Sequence, residues 1–249
     1  MAKKKLVIAN WKLYVEKQEE AKKFLQALRR KPSQAQLVVA PAFPLIPAAV
    51  AALKNSKIKV GAQTVSALNA GAHTGEVSAA ALKNAGVSYV IVGHSERRAR
   101  GESDEDIKEE LKRAQEAKLT PVLCVGERER DAAGTYLSFI ENQLRSALLG
   151  SPRKGVPLVV AYEPVWAIGK SAQDAMKPAE LREMSIFIKK TLAQIFERPA
   201  ALKVPILYGG SVEPENAAAL MSEGDIDGFL VGHASADIKM FSEIVTACN

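Results

Sequence analysis

The run Leu158-Val159-Val160-Ala161-Tyr162 is apolar throughout and ends at the acidic Glu163. It is one of eight short runs rich in Val, Ile and Leu; the others are Leu6–Ala9, Leu37–Ala40, Ile58–Gly61, Tyr89–Gly93, Val122–Val125, Ile206–Tyr208 and Gly228–Val231. The absence of regular polar alternation in these runs is typical of strands that are buried on both faces. The pattern therefore predicts parallel strands with helices outside them and a core inside.

Segments with helical periodicity lie between these runs. Ser103 is a predicted N-cap followed by acidic residues, and Pro178 and Pro214 are predicted to begin two further helices. Strands that alternate with helices form βαβ units, and eight such units in about 250 residues match a (β/α)8 barrel of the α/β class. A doubly wound sheet is the alternative, but no GxGxxG motif follows the first run. No linker divides the chain, so we expect residues 1–249 to form a single barrel domain.

The composition limits the kinds of partner. The 249 residues are 47% hydrophobic and carry a formal net charge of +6, which suits an anionic metabolite as well as a nucleic acid. No block of five or more like charges occurs, so we expect no nucleic-acid binding. Cys124 and Cys248 are the only cysteines, and no Cys/His spacing resembles a metal site. Because no apolar stretch reaches the length of a membrane span or a signal peptide, we expect a cytoplasmic protein that binds no membrane.

Polar residues that directly follow an apolar run are the candidates for function, because the carboxyl ends of barrel strands carry the active-site loops. Asn10-Trp11-Lys12 follows the first run, and a lysine at the barrel mouth supplies a positive charge for an anion. The alternative is a surface lysine beside a buried tryptophan. His94 follows the fourth run. A histidine in such a place is more often structural, but Glu96 and two arginines just after it form an unusually dense polar group for a strand end.

Glu163 follows the sixth run and is succeeded by the apolar segment Val165–Ile168. Apolar surroundings partly desolvate a carboxylate and favour its action as a base. A glutamate in a structural ion pair is the alternative. The apolar segment is unusual for an exposed loop, and it favours a lid that closes over a ligand and excludes water.

Glycines at the ends of the last two runs indicate an anion site. Gly209-Gly210-Ser211 follows the seventh run and Gly232-His233 the eighth. Glycine allows backbone N–H groups to approach an anion, and a helix N-terminus adds its dipole. Phosphate sites in such barrels often use the loops after strands seven and eight. The alternative is that these glycines serve only tight turns.

Together the motifs resemble the triosephosphate isomerase family, in family order and over nearly the whole chain. The matching blocks are Asn10–Lys12, Gly61–Gln63, Thr74–Glu76, Gly93–Arg98, Cys124–Glu127, Ala161–Gly169 and Tyr208–Val212. The resemblance implies a TIM barrel enzyme that interconverts dihydroxyacetone phosphate and D-glyceraldehyde 3-phosphate through an enediolate, without cofactor or metal.

The resemblance also implies a role for each matching residue. Glu163 matches the base that removes a proton next to the carbonyl, and His94 matches the neutral electrophile that polarises this carbonyl. Lys12 matches the residue whose charge stabilises the enediolate. Asn10 matches a neighbour that contacts the substrate, and Glu96 matches a carboxylate close to the lysine.

Two further features of the family have counterparts here. The backbones of Gly169, Ser211, Gly232 and His233 match a cradle for the substrate phosphate. The loop around Thr74 resembles the segment that inserts into a partner subunit, which implies a homodimer.

Two stretches depart from the family pattern. His233 stands where the family usually has glycine, so its side chain limits φ and ψ and must point away from the phosphate. The usual Thr-Gly before Lys170 is missing, which predicts a lid tip two residues shorter, with Lys170-Ser171-Ala172 as the far hinge. The altered lid is the only support for an alternative function, a non-catalytic barrel that binds phosphorylated ligands or a protein. Another phosphate-binding barrel enzyme, such as a lyase, does not explain the full motifs around His94 and Glu163.

Overall fold

The strands close into a ring in which each pairs with the next along the chain. In the computed structural model, which describes residues 4–150, 157–170 and 175–249, all pairs are parallel and the last strand pairs with the first. The strands are β1 (Leu6–Asn10), β2 (Gln36–Ala40), β3 (Lys59–Ala62), β4 (Tyr89–Val92), β5 (Thr120–Val125), β6 (Val159–Tyr162), β7 (Ile206–Tyr208) and β8 (Gly228–Val231). The predicted barrel is confirmed, and each strand begins and ends within two residues of its predicted run.

Helices follow the strands and cover the outside of the ring. They are α1 (Gln18–Arg29), α2 (Ile46–Ala52), α3 (Ala79–Asn84), α4 (Ser95–Arg98), α5 (Asp104–Glu116), α6 (Thr135–Leu148), α7 (Pro178–Ile195), α8 (Arg198–Ala201), α9 (Pro214–Glu223) and α10 (Ile238–Thr246). Short 3-10 segments occur at Phe43–Leu45, Val165–Ala167 and His233–Ala236. Within the described ranges, no helix is long and apolar enough to span a membrane.

The predicted helix starts are confirmed. Ser103 Oγ accepts a hydrogen bond from the Asp106 N–H at 3.1 Å, and the Asp106 carboxylate accepts one from the Ser103 N–H at 3.1 Å. This reciprocal capping box satisfies two N–H groups that the first turn of α5 leaves without helical partners. Pro178 and Pro214 begin α7 and α9, where a missing N–H costs nothing.

Alternate residues of the strands pack into two separate cores. In β1, Leu6 and Ile8 point into the barrel, whereas Val7 and Ala9 pack against the surrounding helices. The cluster inside the barrel consists of Leu6, Ile8, Val38, Ala40, Ile91, Val122, Cys124, Val159, Ala161, Leu207 and Leu230. Because both faces of each strand are buried, the strands read as continuous apolar runs.

The same alternation determines which residues stand at the mouth of the barrel. Two residues beyond an inward-facing side chain, the next position faces inward again. This step leads from Ile8 to Asn10, and from Ala161 to Glu163. It leads likewise from Leu230 to Gly232, so polar or small residues replace apolar ones where the interior opens.

Closure of the ring requires glycine at the start of β8. Gly228 pairs with Leu6 of β1 and has a φ of 153°. A Cβ atom built on Gly228 would lie 1.7 Å from the carbonyl oxygen of Leu6. Any larger residue therefore forces β1 and β8 apart at the seam of the barrel.

We expect Gly228→Ala to lower the free energy of unfolding by about 3 kcal/mol or more, because the added methyl group meets backbone that cannot move without breaking the ring. Urea unfolding measures the loss. Gly101→Ala is the control: Gly101 has a φ of 101°, but a Cβ atom added there would meet no atom within 4 Å, so only backbone strain of about 1 kcal/mol is expected. Equal losses in the two variants would contradict a steric requirement at the seam.

Candidate active site

A cavity of about 510 Å³ opens at the carboxyl ends of the strands, a volume within the usual range for small-molecule sites. It is lined by nine of the residues that the sequence predicted for the site: Asn10, Lys12, His94, Glu96, Glu163, Gly169, Ser211, Gly232 and His233. The tenth, Thr74, lies on the exposed loop after β3 and does not line the cavity. The structure therefore brings together residues from opposite ends of the chain, such as Asn10 and His233.

Glu163 is buried directly after β6, with 1% of its surface exposed. One carboxylate oxygen, Oε2, accepts a hydrogen bond from the Ser95 N–H at 3.1 Å. The other, Oε1, is buried without a hydrogen-bond partner among the described residues. An oxygen without a donor is free to accept a proton from a ligand.

Glycines on the neighbouring strand ends make room for this glutamate. A Cβ atom on Gly126, just after β5, would lie 1.8 Å from the carbonyl oxygen of Glu163. A Cβ atom on Gly209, just after β7, would lie 2.9 Å from Glu163 Cγ. Because Gly126 and Gly209 have no side chains, the backbone on both sides can lie close to Glu163.

His94 is the N-cap residue of α4, and its ring lies beside the glutamate. His94 Nδ1 accepts a hydrogen bond from the Glu96 N–H at 3.2 Å, so this nitrogen carries no proton. The neutral ring must then carry its proton on Nε2, which lies 3.4 Å from Glu163 Oε1. The imidazole therefore presents a donor to the cavity.

Lys12 has a backbone conformation that is unusual for a residue with a side chain. Its φ is 47°, in the left-handed region, which costs about 1–2 kcal/mol. Two contacts stabilise this conformation: the Lys12 N–H donates to Asn10 Oδ1 at 3.2 Å, and the Lys12 carbonyl accepts from Gln63 Nε2 at 2.9 Å. Gln63 Nε2 also donates to the carbonyl of Ala40 at 3.0 Å, so it ties the loop after β1 to the end of β2.

The ammonium group of Lys12 is paired with a carboxylate of α4. Lys12 Nζ lies 2.6 Å from Glu96 Oε1. Partial burial raises the pKa of Glu96, but the hydrogen bond and the positive charge of Lys12 outweigh this effect and hold that pKa below its usual value. Glu96 therefore stays ionised and fixes the position of the lysine.

The residues predicted to form an anion cradle also line the cavity, and Ser211 is hydrogen-bonded to the segment after β6. Ser211 Oγ accepts a hydrogen bond from the Lys170 N–H at 3.0 Å and donates one to the carbonyl of Ala167 at 2.8 Å. Gly169 has a φ of 72°, a conformation that favours glycine. A single serine thus connects the segment after β6 with the loop after β7.

His233 fits its position without left-handed strain, because its φ is negative. It begins the 3-10 segment after β8, and its ring packs edge-on against the ring of Tyr14, with centroids 5.4 Å apart. Both rings belong to the cavity wall. The constraint on φ that the sequence suggested at this position is therefore met by ordinary backbone geometry.

The start of the predicted lid is anchored to a buried carboxylate. Glu127 accepts hydrogen bonds from Trp166 Nε1 at 2.9 Å, from the Tyr162 hydroxyl at 2.8 Å and from Arg130 Nε at 2.9 Å. The Arg130 guanidinium also lies over the rings of Tyr136 and Trp166, 5.0 and 5.3 Å from their centroids. Burial and the charge of Glu127 raise the pKa of Tyr162, which keeps its hydroxyl a donor.

The far hinge predicted at Lys170-Ser171-Ala172 falls mostly outside the described residues, since positions 171–174 are not among them. The shortened lid tip therefore stays a prediction.

Three supporting residues were not assigned a role from the sequence. Gln63 directly follows β3 and Glu127 is the second residue after β5; both lie in matching blocks, which is the signal that marks them. Ser95 acts through its backbone N–H, which no residue type encodes. Among residues 4–150, 157–170 and 175–249, no group of three or more His, Cys, Asp or Glu side chains is placed to hold a metal ion.

A closed (β/α)8 barrel with a carboxylate, an imidazole and an ammonium group around a polar cavity defines an enzyme suited to proton transfer on a small anionic substrate. Comparison with known proteins is more specific. The family model described as triosephosphate isomerase matches residues 5–248. The triosephosphate isomerase of Thermus thermophilus is 43% identical to the chain over 241 residues, which cover 95% of the chain and 95% of that relative. The triosephosphate isomerase of Moorella thermoacetica is 44% identical over 246 residues, which cover 96% of the chain and 97% of that relative.

A third relative, the triosephosphate isomerase of Citrifermentans bemidjiense, is 43% identical over 251 residues, and the alignment covers 98% of the chain and 98% of that relative. The chain therefore belongs to the triosephosphate isomerase family and is an isomerase.

We expect Gln63→Met to lower kcat/KM about tenfold, because Lys12 then loses the hydrogen bond that holds its strained peptide. Stability should fall by about 2 kcal/mol, because Gln63 Nε2 makes two hydrogen bonds and each has a usual net value of about 1 kcal/mol. Steady-state kinetics and urea unfolding on the same preparation separate the two effects. An unchanged kcat/KM would mean that Gln63 does not hold the lysine in place.

Proposed function

We propose that the chain interconverts dihydroxyacetone phosphate and D-glyceraldehyde 3-phosphate by moving one proton between adjacent carbons. The observation that carries this proposal is the meeting of Glu163, His94 and Lys12, from the ends of β6, β4 and β1, in one cavity. Proton abstraction next to a carbonyl requires a base, a stabiliser for the oxyanion and exclusion of water. These side chains supply the first two requirements.

The reaction begins when Glu163 Oε1 removes a proton from the carbon next to the carbonyl. The electron pair of that C–H bond forms the enediolate double bond, and the carbonyl electrons move to oxygen. His94 donates its Nε2 hydrogen to this oxygen, and the charge of Lys12 stabilises the developing negative charge. The Glu163 carboxylic acid then returns the proton to the neighbouring carbon while His94 helps to move protons between the two oxygens.

The substrate phosphate binds, on this proposal, at the side of the cavity lined by Gly169, Ser211, Gly232 and His233. Backbone N–H groups bind the phosphate there, and Asn10 contacts the substrate beside Lys12. The chain supplies every group that the reaction needs, so the mechanism uses no cofactor and no metal.

Glu163→Gln is expected to lower kcat by about 10²–10⁴, because an amide cannot take the proton. Conversion of glyceraldehyde 3-phosphate, coupled to a readout of dihydroxyacetone phosphate, measures the loss. Glu183→Gln, at an exposed position of α7, is the matched control and should retain full activity. Normal turnover by folded Glu163→Gln would remove Glu163 from its role, and an inactive wild-type chain would refute the activity.

The proposal extends to a homodimer in which the loop around Thr74 contacts a second copy of the chain. Large apolar side chains are exposed on the loops after β1 and β3: Leu13 at 71%, Tyr14 at 53% and Leu68 at 46%. These loops leave the same end of the barrel as the cavity, and exposed apolar groups of this size favour association. We also propose a cytoplasmic location, where the two buried free cysteines stay reduced.

Sedimentation of the wild type should give twice the chain mass of 26.8 kDa at micromolar concentration. Thr74→Arg should shift the protein towards the monomer, because a long cation at the centre of the interface is desolvated without a partner. Thr246→Arg, at an exposed position of α10, is the matched control and should remain dimeric. A monomeric wild type would exclude the dimer.

A further inference from the structure

Two buried carboxyl groups lie outside the active-site cavity: Glu102 just before α5, and Glu110 in the middle of that helix. Glu110 is 3% exposed, and the side chain of Glu102 is 5% exposed. In each group the Oε2 atom is buried and has no hydrogen-bond donor among the described residues. The two side chains lie within hydrogen-bonding reach of each other. Two carboxyl groups that are this close and buried away from water do not both ionise, because burial and mutual repulsion disfavour the second negative charge.

The surroundings of the pair carry an excess of negative charge. A cavity of about 340 Å³ adjoins it, and the charged side chains that line this cavity are Glu76, Arg97, Arg100, Glu102, Asp106 and Glu110. Arg97 Nε donates to Glu102 Oε1, whereas Glu102 Oε2 has no donor among the described residues. Four acidic groups therefore share two guanidinium groups, and this excess of negative charge favours protonation of one of the buried carboxyl groups.

The titration of Glu110 agrees with this geometry. Burial raises the pKa of Glu110 to about 9, the charge of Glu102 adds to the rise, and Arg97 opposes it. At neutral pH, Glu110 is therefore a carboxylic acid with an O–H group to donate, and the Glu102 carboxyl group that pairs with Arg97 is its acceptor.

We propose that Glu110 and Glu102 share one proton, and that this hydrogen bond is a positioning device for α4, the turn of helix that holds the catalytic groups. The helix α4 has only four residues, and so short a helix is not stable without tertiary contacts. Its two arginines provide them: Arg97 binds Glu102, and Arg98 Nη1 binds Asp104 Oδ1 at 2.7 Å.

The positions of two active-site groups depend on α4. Its first residue, Ser95, donates its N–H to Glu163, and its second, Glu96, pairs with Lys12. Glu110 acts through Glu102 and Arg97 and touches neither substrate nor reacting atoms. When Glu110 loses its proton, its negative charge repels the Glu102 carboxylate. Because Arg97 is paired with Glu102, Arg97 and the helix α4 shift with it.

The test compares Glu110→Gln with the wild type; its kinetic arm rests on the proposed function. Glutamine keeps an N–H donor for Glu102 but has no proton to lose. Because the folded wild type keeps its proton to about pH 9 and the unfolded chain releases it near 4.5, wild-type stability falls as pH rises between these values. The melting temperature of Glu110→Gln minus that of the wild type should therefore increase from pH 5 to pH 9.

Activity and spectroscopy provide independent readouts. Above pH 9, kcat of the wild type should fall several-fold relative to Glu110→Gln. Glu110→Leu, which offers no donor, should have a lowered kcat at every pH. Glu105→Gln, exposed on the same helix, is the charge-matched control and should follow the wild type. The infrared absorption of a protonated carboxyl group should be present in the wild type at pH 7 and absent from Glu110→Gln.

Several results would overturn the proposal. A wild type without the infrared signal at pH 7, or a melting difference that does not change with pH, would exclude the shared proton. A kcat profile of Glu110→Gln that matches the wild type would exclude the positioning role even if the proton is present. Wild-type protein that converts no triose phosphate would instead refute the proposed function, and the infrared and melting measurements would still decide the shared proton.

Discussion

The alternation of side chains along the eight closed strands is the constraint on which the active site depends. Since every second residue faces the interior, Asn10, Glu163 and Gly232 share one level at the mouth of the barrel although they come from β1, β6 and β8. A strand shifted by one residue would turn its mouth residue outwards among the helices. The hydrogen bonds of the ring, closed between Leu6 and Gly228, prevent such a shift.

The side chains at the mouth are held mainly by backbone groups. Glu163 receives the Ser95 N–H, and His94 receives the Glu96 N–H, so one short helix orients both the carboxylate and the imidazole. This arrangement fixes the histidine with its donor towards the cavity and the glutamate with one oxygen unpartnered among the residues described. Preorganised groups of this kind need little rearrangement during reaction. The accuracy of the site therefore depends on how firmly the flanking helix is anchored.

The apolar runs predicted the strands because burial on both faces leaves a direct mark on composition. The grouping of Lys12, His94 and Glu163 followed from their places just after strands. The left-handed conformation of Lys12 and its support by Gln63 did not, because a hydrogen bond between residues 51 positions apart leaves no local pattern. The contact between Glu102 and Glu110 was hidden for a related reason: acidic residues in and just before α5 are typical of a solvated face, and only the packed structure shows that these two side chains are buried.

Cys124 of β5 packs inside the barrel below the mouth, fully buried in the interior cluster. Burial raises the pKa of its thiol well above the usual value, and the nearby Glu163 raises it further. Oxidants react with the thiolate, which this environment suppresses, and they must also reach a sulfur atom enclosed by packed strands. Burial in the barrel thus protects the Cys124 sulfur from oxidation by peroxide, even though this atom lies next to Glu163.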